Sequence, residues 1–239
     1  VRIPLSPQCS SFFKTSGSIM NEKKTSKRLK IHLGCGKNAL DDFLNFDNNI
    51  FLLFKFIPFI ENFLSLFNFI PKWFCEFITI SREKDIKYCD VSKKIPFKDS
   101  TVDLIYSCHM LEHLDQDETN VFFYESYRVL KPNGMMRIVV PDFQRLVDSY
   151  KFDKDVNKFV YKSCLVGEKP KSLIKKLQYL IQGHGWHHQM FNKESLKFFK
   201  KFKFSDVQLI EPGKTKIGFN TSIDLNERKN ESLYFEFIK

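Results

Sequence analysis

Short apolar runs, each ended by a turn or polar residue, constrain this chain more than any other feature. Leu29 to Leu33 alternates and stops at Gly34-Cys35-Gly36. Leu44-Asn45-Phe46-Asp47 ends in a carboxylate, and Ile86 to Cys89 runs into Asp90. Val102 to Ser107 leads to His109, and Met135 to Val140 stops at Pro141. Apolar runs of this length, bounded by turn residues, read as strands rather than helices. The span Asp117 to Leu130 has a helical pattern and is closed by Lys131-Pro132-Asn133-Gly134, where Pro and Gly supply the stop. Strands alternating with helices predict an α/β fold around an open, mostly parallel sheet. Val207 to Ile210 and Leu233 to Ile238 would complete that sheet, leaving Lys214 to Asn230 as a connection.

In an open parallel sheet, ligands sit beyond the carboxyl ends of the strands. Gly34, Asp47, Asp90 and Ser107 to His109 are therefore expected to converge on one crevice. Glycine at the first turn lets the backbone approach a ligand without a Cβ in the way, and a strand-end Asp can hold two ribose hydroxyls. The dinucleotide fingerprint needs a third glycine at the helix start and an acid about 20 residues further on. Position 39 is Ala and Asp47 comes early, so a nicotinamide dinucleotide fits poorly.

Several stretches resemble one family, the small class I methyltransferases found among bacterial polysaccharide-biosynthesis proteins. They are His32-Leu33-Gly34-Cys35-Gly36, Asn45-Phe46-Asp47, Ile95-Pro96-Phe97, Leu111-Glu112-His113-Leu114, and Arg128-Val129-Leu130-Lys131-Pro132 followed by Arg137 to Pro141. The likeness runs from about Arg28 to the end, weakens after Pro141, and returns in His187-His188 and Glu231-Ser232-Leu233-Tyr234. It implies a Rossmann-like, doubly wound sheet of seven strands, mostly parallel with an antiparallel last strand, and S-adenosylmethionine as cofactor. By the same resemblance, Gly34, Cys35 and Gly36 would pass beneath the methionyl part of the cofactor. Asp47 would bind its ribose, Asp90 and Val91 would flank its adenine, and His109 would line the pocket. The implied acceptor is an oxygen of a sugar, a glycan intermediate or a small molecule.

Methyl transfer mainly requires nucleophile and methyl to be held in line, which needs no metal. The six cysteines are scattered without a C-x-x-C pair, as in a reduced cytosolic protein, so structural zinc is not expected. His109-Met110-Leu111-Glu112-His113 does fit H-x-x-E-H, a zinc-peptidase signature, but that chemistry needs the string inside a helix. Here it follows a strand and begins a loop. A second histidine group lies in Gly183-His184-Gly185-Trp186-His187-His188, before a helix expected from Lys193 to Phe202 and capped by Asn192. Its place suggests the substrate rim. Oxygen methylation benefits from a base that takes the hydroxyl proton, so His187, His188 and His109 are the candidates, with Glu112 beside them.

The 38 residues between Asp47 and Ile86 exceed the usual connection in this family. Phe51 to Ile80 is rich in Phe, Leu and Ile, with a narrow polar stripe of Lys55, Glu61, Asn62, Ser65, Asn68 and Lys72. This predicts an insertion over 50–82 of amphipathic helices broken at Pro58 and Pro71, packing on the domain or touching a membrane surface or substrate. The interspersed charges argue against a spanning helix. Residues 1–27 read as a disordered leader without the apolar core of a signal peptide, and 28–239 as one domain. The expected location is cytoplasmic, with membrane association through 51–80 as its variant.

The formal charge of +10 favours anionic partners such as nucleic acid, phospholipid or a nucleotide-linked substrate. Basic clusters at Lys23 to Lys30, Lys169 to Lys176 and Lys197 to Lys203 suit solvated helix faces as well as RNA. The strand end Ser107-Cys108-His109-Met110 lacks the Pro-Pro-aromatic string of base amino-methyltransferases, which disfavours that reaction. An RNA-directed methyltransferase and a binding module without catalysis are the alternatives to a sugar or small-molecule O-methyltransferase.

Overall fold

The computed structural model describes residues 28–57, 59–60, 72–166, 176 and 185–239. Its strands are β1 (Lys30–Leu33), β2 (Leu44–Asp47), β3 (Lys87–Tyr88), β4 (Val102–Cys108), β5 (Leu130–Pro141), β6 (Asp206–Ile210) and β7 (Ser232–Ile238). They form one seven-stranded sheet in the order β3-β2-β1-β4-β5-β7-β6. Pairing is parallel from β3 to β5, while β7 runs antiparallel to both β5 and β6. This is the Rossmann-like sheet expected from the sequence, with its last strand slotted between β5 and β6.

The apolar runs of β4 and β5 are covered on both faces, which is why they lack simple alternation. On one face lies α2 (Gln116–Val129), one residue from its expected bounds. Asp115 caps it reciprocally: its side chain accepts the Glu118 N–H, and Glu118 accepts the Asp115 N–H. Thr119, Phe122, Phe123, Ser126 and Val129 then recur at helical spacing on the buried face. Phe123 sits within an aromatic group with Phe199, Phe202, Phe204 and Phe237, so part of the chain's unusual Phe content fills one core. After β5, α3 (Phe143–Asp153) and α4 (Val156–Ser163) pack on each other and are capped by Asp142 and Asp155.

Three expected elements differ in extent. β3 is only Lys87–Tyr88: the Cys89 N–H still donates to the Asp47 carbonyl at 2.9 Å, but the Ile86 N–H turns back to the Ser81 carbonyl. The helix expected from Lys193 to Phe202 is the single turn α5 (Ser195–Phe199); Asn192 does accept the Ser195 N–H at 3.2 Å, and turns carry the flanks. In the insertion, Ile50–Phe56 is a 3₁₀ helix and Lys72–Glu83 is α1. Leu52 and Phe77 from these pieces pack with Cys35 and Ile86 in a small satellite core, so the described part of the insertion docks on the domain. Pro58, Pro71 and the polar stripe from Glu61 to Asn68 lie outside the described residues, as do residues 1–27 and His184. No helix among the described residues is long and apolar enough to cross a membrane.

A fully buried ion pair crosses the sheet where β5 meets β7. Arg137 Nη1 donates to Glu236 Oε1 at 2.5 Å, and Thr215 Oγ1 and the Lys216 N–H donate to the same carboxylate. The Tyr234 ring lies 5.0 Å from the Arg137 guanidinium. A buried charge pair is tolerable only when its remaining hydrogen-bonding positions are filled, as these are for Glu236.

Candidate active site

The strand order reverses between β1 and β4, and the ends of β1, β2, β3 and β4 frame a cleft of about 490 Å³. Gly34 and Gly36 form its floor, both in the left-handed region at φ 68° and 51°. Their constraints differ. A Cβ on Gly34 would fall 2.3 Å from Met110 Cγ, whereas one on Gly36 would meet no atom within 4 Å, because that residue faces open space. The turn is held from the next strand: Asp47 Oδ2 accepts the Gly36 N–H at 2.8 Å, and Oδ1 accepts the Asn49 N–H at 2.9 Å. Burial pushes the Asp47 carboxyl above its ordinary range, against those two hydrogen bonds.

Asp90 follows β3 on the adjoining wall. Burial alone would raise its pKa, but the Lys93 ammonium and the Ser92 hydroxyl and amide more than offset that, leaving Asp90 below the usual carboxylate range. Val91 lines the same wall. Cys35, expected at the turn with its neighbours, contributes backbone only. Its side chain is buried away from the cleft in the satellite core, and burial and the Asp47 charge keep its thiol protonated.

His109 directly follows the carboxyl end of β4 and lines the cleft in an unusual conformation, φ 51°, with its N–H donated to the Val139 carbonyl. A non-glycine residue there stores strain, and such residues gather at functional sites. The side chain lines the cleft, with Nε2 2.8 Å from Ser232 Oγ and Nδ1 3.4 Å from Glu112 Oε1. Burial, assisted by the Arg228 charge, lowers its pKa to about 4, so the imidazole is neutral near pH 7. Glu112 is 1% exposed, and neither carboxylate oxygen has a hydrogen-bond partner; burial pushes its pKa up to about 7.

The histidine group crosses over this loop from far along the chain. The N–H groups of His188 and Gln189 donate to the Glu112 carbonyl, at 2.7 and 3.2 Å. The Gln189 amide donates to the Leu114 and Asp115 carbonyls, locking the two stretches together. His188 lines the cleft beside Trp186 and Gly185. His187 instead turns inward, its Nε2 4.0 Å from Glu112 Oε1, and lines a second cavity of about 340 Å³ with Arg145, Lys162 and Glu231. Burial lowers its pKa to about 4. The structure brings Gly34, Gly36, Asp47, Asp90, Val91 and His109 around one cleft, with His188 joining them and His187 standing behind Glu112, whereas Ser107 and Cys108, also expected there, do not line it. Sequence reasoning missed Met110, Ser232 and Trp186. Met110 and Trp186 lie inside motifs already singled out, whereas nothing local to Ser232 pairs it with His109.

A Rossmann-like sheet with an antiparallel strand between its fifth and sixth, and a glycine turn and strand-end acids at its switch point, defines a class I methyltransferase architecture. A family model described as a methyltransferase domain matches residues 76–138, from α1 through β4 and α2 into β5. Over those residues the chain carries the sequence pattern of a methyltransferase domain. Among solved structures it is similar to an S-adenosylmethionine-dependent methyltransferase from Archaeoglobus fulgidus, at 16% identity and a TM-score of 0.45, over 89% of this chain and 86% of that one. It is also similar to phosphoethanolamine N-methyltransferase 2 of Haemonchus contortus in complex with S-adenosylmethionine, at 13% identity and a TM-score of 0.44, over 89% of this chain and 48% of that one. Likenesses this distant say nothing about the acceptor. No curated protein matches the sequence.

Proposed function

We propose that the enzyme methylates an oxygen of a sugar, a glycan intermediate or a small molecule. The observation that carries this reading is the position of His109, a neutral imidazole on the wall of the same cleft that holds the glycine turn and the two strand-end acids. When bound, S-adenosylmethionine supplies an electrophilic methyl on its sulfonium. Gly34 and Gly36 keep the backbone edge clear for its methionyl part, Asp47 serves its ribose hydroxyls, and Asp90 and Val91 serve its adenine. His109 would take the proton of the acceptor hydroxyl as its oxygen received the methyl group from the bound cofactor. Ser232 Oγ, 2.8 Å from Nε2, holds the His109 ring, while Nδ1, 3.4 Å from Glu112 Oε1 and not hydrogen-bonded to it, is left to take the proton. His187 acts through Glu112 as a positioning residue, and His188 on the cleft wall contacts the acceptor.

The exposed side chains of Leu53, Phe56 and Phe59 support peripheral membrane contact through the insertion. An amphipathic acceptor would meet the enzyme at such a surface.

Calorimetry with S-adenosylmethionine, beside NAD as a control ligand, is the first test. Saturable binding of the former alone is expected, and no binding to a folded sample would sink the proposal. S-adenosylhomocysteine release would then be followed over a panel of hydroxylated saccharides. His109→Gln should retain cofactor binding while turnover falls by about 10²–10⁴-fold, the usual contribution of a general base.

A further inference from the structure

We infer that Glu112, His113 and His187 form a binding site for a first-row divalent cation, with zinc as its best-matched occupant. One ligand atom from each of the three lies within 4.8 Å of the others. Two imidazoles and a carboxylate are a ligand set that catalytic zinc sites use, with a further position left open.

The second observation is independent of that spacing. Glu112 is 1% exposed, and both of its carboxylate oxygens lack any hydrogen-bond partner. An interior carboxylate without partners is costly, and a cation is the simplest group to complete it. Arg228 influences Glu112 electrostatically, yet its guanidinium is bonded to Glu231 at 2.5 Å. The ring of His113 is prepared for a metal: Nδ1 lies 3.0 Å from the Trp186 carbonyl, which can only accept, so the proton sits there and Nε2 keeps the lone pair. Metal-ligating histidines are commonly oriented by such a bond on the other nitrogen. His187 brings Nε2 to 4.0 Å from Glu112 Oε1, and its ring meets that of His113 edge to face at 5.1 Å.

This is not the peptidase arrangement of H-x-x-E-H. In that signature both histidines of the string bind the metal, but here His109 leaves the set, turned by its left-handed backbone toward Ser232. His187, 74 residues beyond His113, replaces it; the backbone bonds from His188 and Gln189 to Glu112 fix that juxtaposition. His113 and His109 face the cofactor cleft and His187 faces the second cavity, so an ion here would stand in the wall between them. Its open position would anchor an acceptor oxygen. That role rests on the methyl-transfer reading, whereas binding of the cation does not.

The test titrates Co²⁺, a spectroscopic substitute for zinc, into the chelator-stripped full chain, with calorimetry and visible absorption as readouts. One equivalent is expected, with the absorption bands of four- or five-coordinate cobalt. Glu112→Gln, His113→Ala and His187→Ala should each weaken binding by at least about tenfold, within the range seen when metal-site residues are altered. His188→Ala, in the same segment but outside the set, should bind as wild type, and circular dichroism confirms that each variant is folded. Absence of a stoichiometric cobalt complex in the wild type would overturn the inference, as would equal affinity in the folded His113 and His187 variants. S-adenosylmethionine binding, measured separately on the same samples, distinguishes failure of the metal site from failure of the methyltransferase reading.

Discussion

The side chain of Asp47, at the end of β2, accepts the backbone N–H of Gly36 at 2.8 Å, joining two strand ends that line the cleft by one hydrogen bond. Asp47 therefore has two tasks, shaping the turn and presenting a carboxylate to the cleft. Asp47→Asn can keep an acceptor for Gly36 but loses the charge, while Asp47→Ala loses both. Calorimetry should show S-adenosylmethionine affinity falling about tenfold or more in Asp47→Ala, in line with about 1.5–3 kcal/mol for a hydrogen bond to a charged group, and less in Asp47→Asn. Equal, wild-type affinity in both would remove Asp47 from the cofactor site.

Gly34 is restricted by packing as well as by backbone. A Cβ there would overlap Met110 Cγ, and its φ of 68° disfavours any side chain. Gly34→Ala is expected to destabilise the fold by about 1–3 kcal/mol, the range for overpacking and local strain. Trimming Met110 to Ala in the same chain should return only the packing share. Thermal denaturation of both variants measures the two shares; full rescue would show that the backbone contributes nothing.

The Arg137–Glu236 pair has 0% and 1% side-chain exposure. Removing one partner strands the other charge among apolar neighbours, so Glu236→Leu should cost about 3–5 kcal/mol in denaturant unfolding. The double variant Arg137→Met, Glu236→Leu should lose less than the sum of the two single changes, since neither charge is then left alone. Additive losses would contradict a direct pairing.

His32, 2% exposed and against the Tyr106 ring, has its pKa lowered by burial to about 4, despite the opposing Asn45 hydrogen bond. Below the unfolded value near 6.5 the unfolded chain binds this proton more readily than the folded one. Stability is therefore lost as pH falls from about 6.5 towards 4, by up to about 3 kcal/mol from this residue. His32→Phe, which keeps a ring against Tyr106, should flatten the stability profile in that window. An unchanged slope would mean that His32 does not titrate on unfolding.

Much of this fold was legible in the sequence because its signals are local. β1 is an apolar run stopped by glycine, β2 and β3 run into carboxylates and β4 into His109, and those stops fall where the cleft forms. The same locality explains the misses. Ile86 and Cys89 are apolar enough for a strand, but only the ladder with β2 decides that two residues pair. Cys35 shares a motif with Gly34 and Gly36, yet a side chain in a tight turn points to one side, and here that side is the satellite core.

The sequence alone determined the sheet, the glycine turn and the acids beyond β2 and β3, since periodicity and turn chemistry act over a few residues. Only the tertiary structure decided how the histidines are divided. The sequence set His109 apart at a strand end, but His187 and His188 read alike as candidates on one loop, and nothing in it tied His113 to either. What separates them is long-range: Ser232 comes from β7 to hold His109, and the 185–189 segment folds back over Glu112 to turn His187 inward and leave His188 in the cleft. Contacts between residues more than 70 positions apart leave no spacing to read, because they exist only once the sheet has brought the strand ends together.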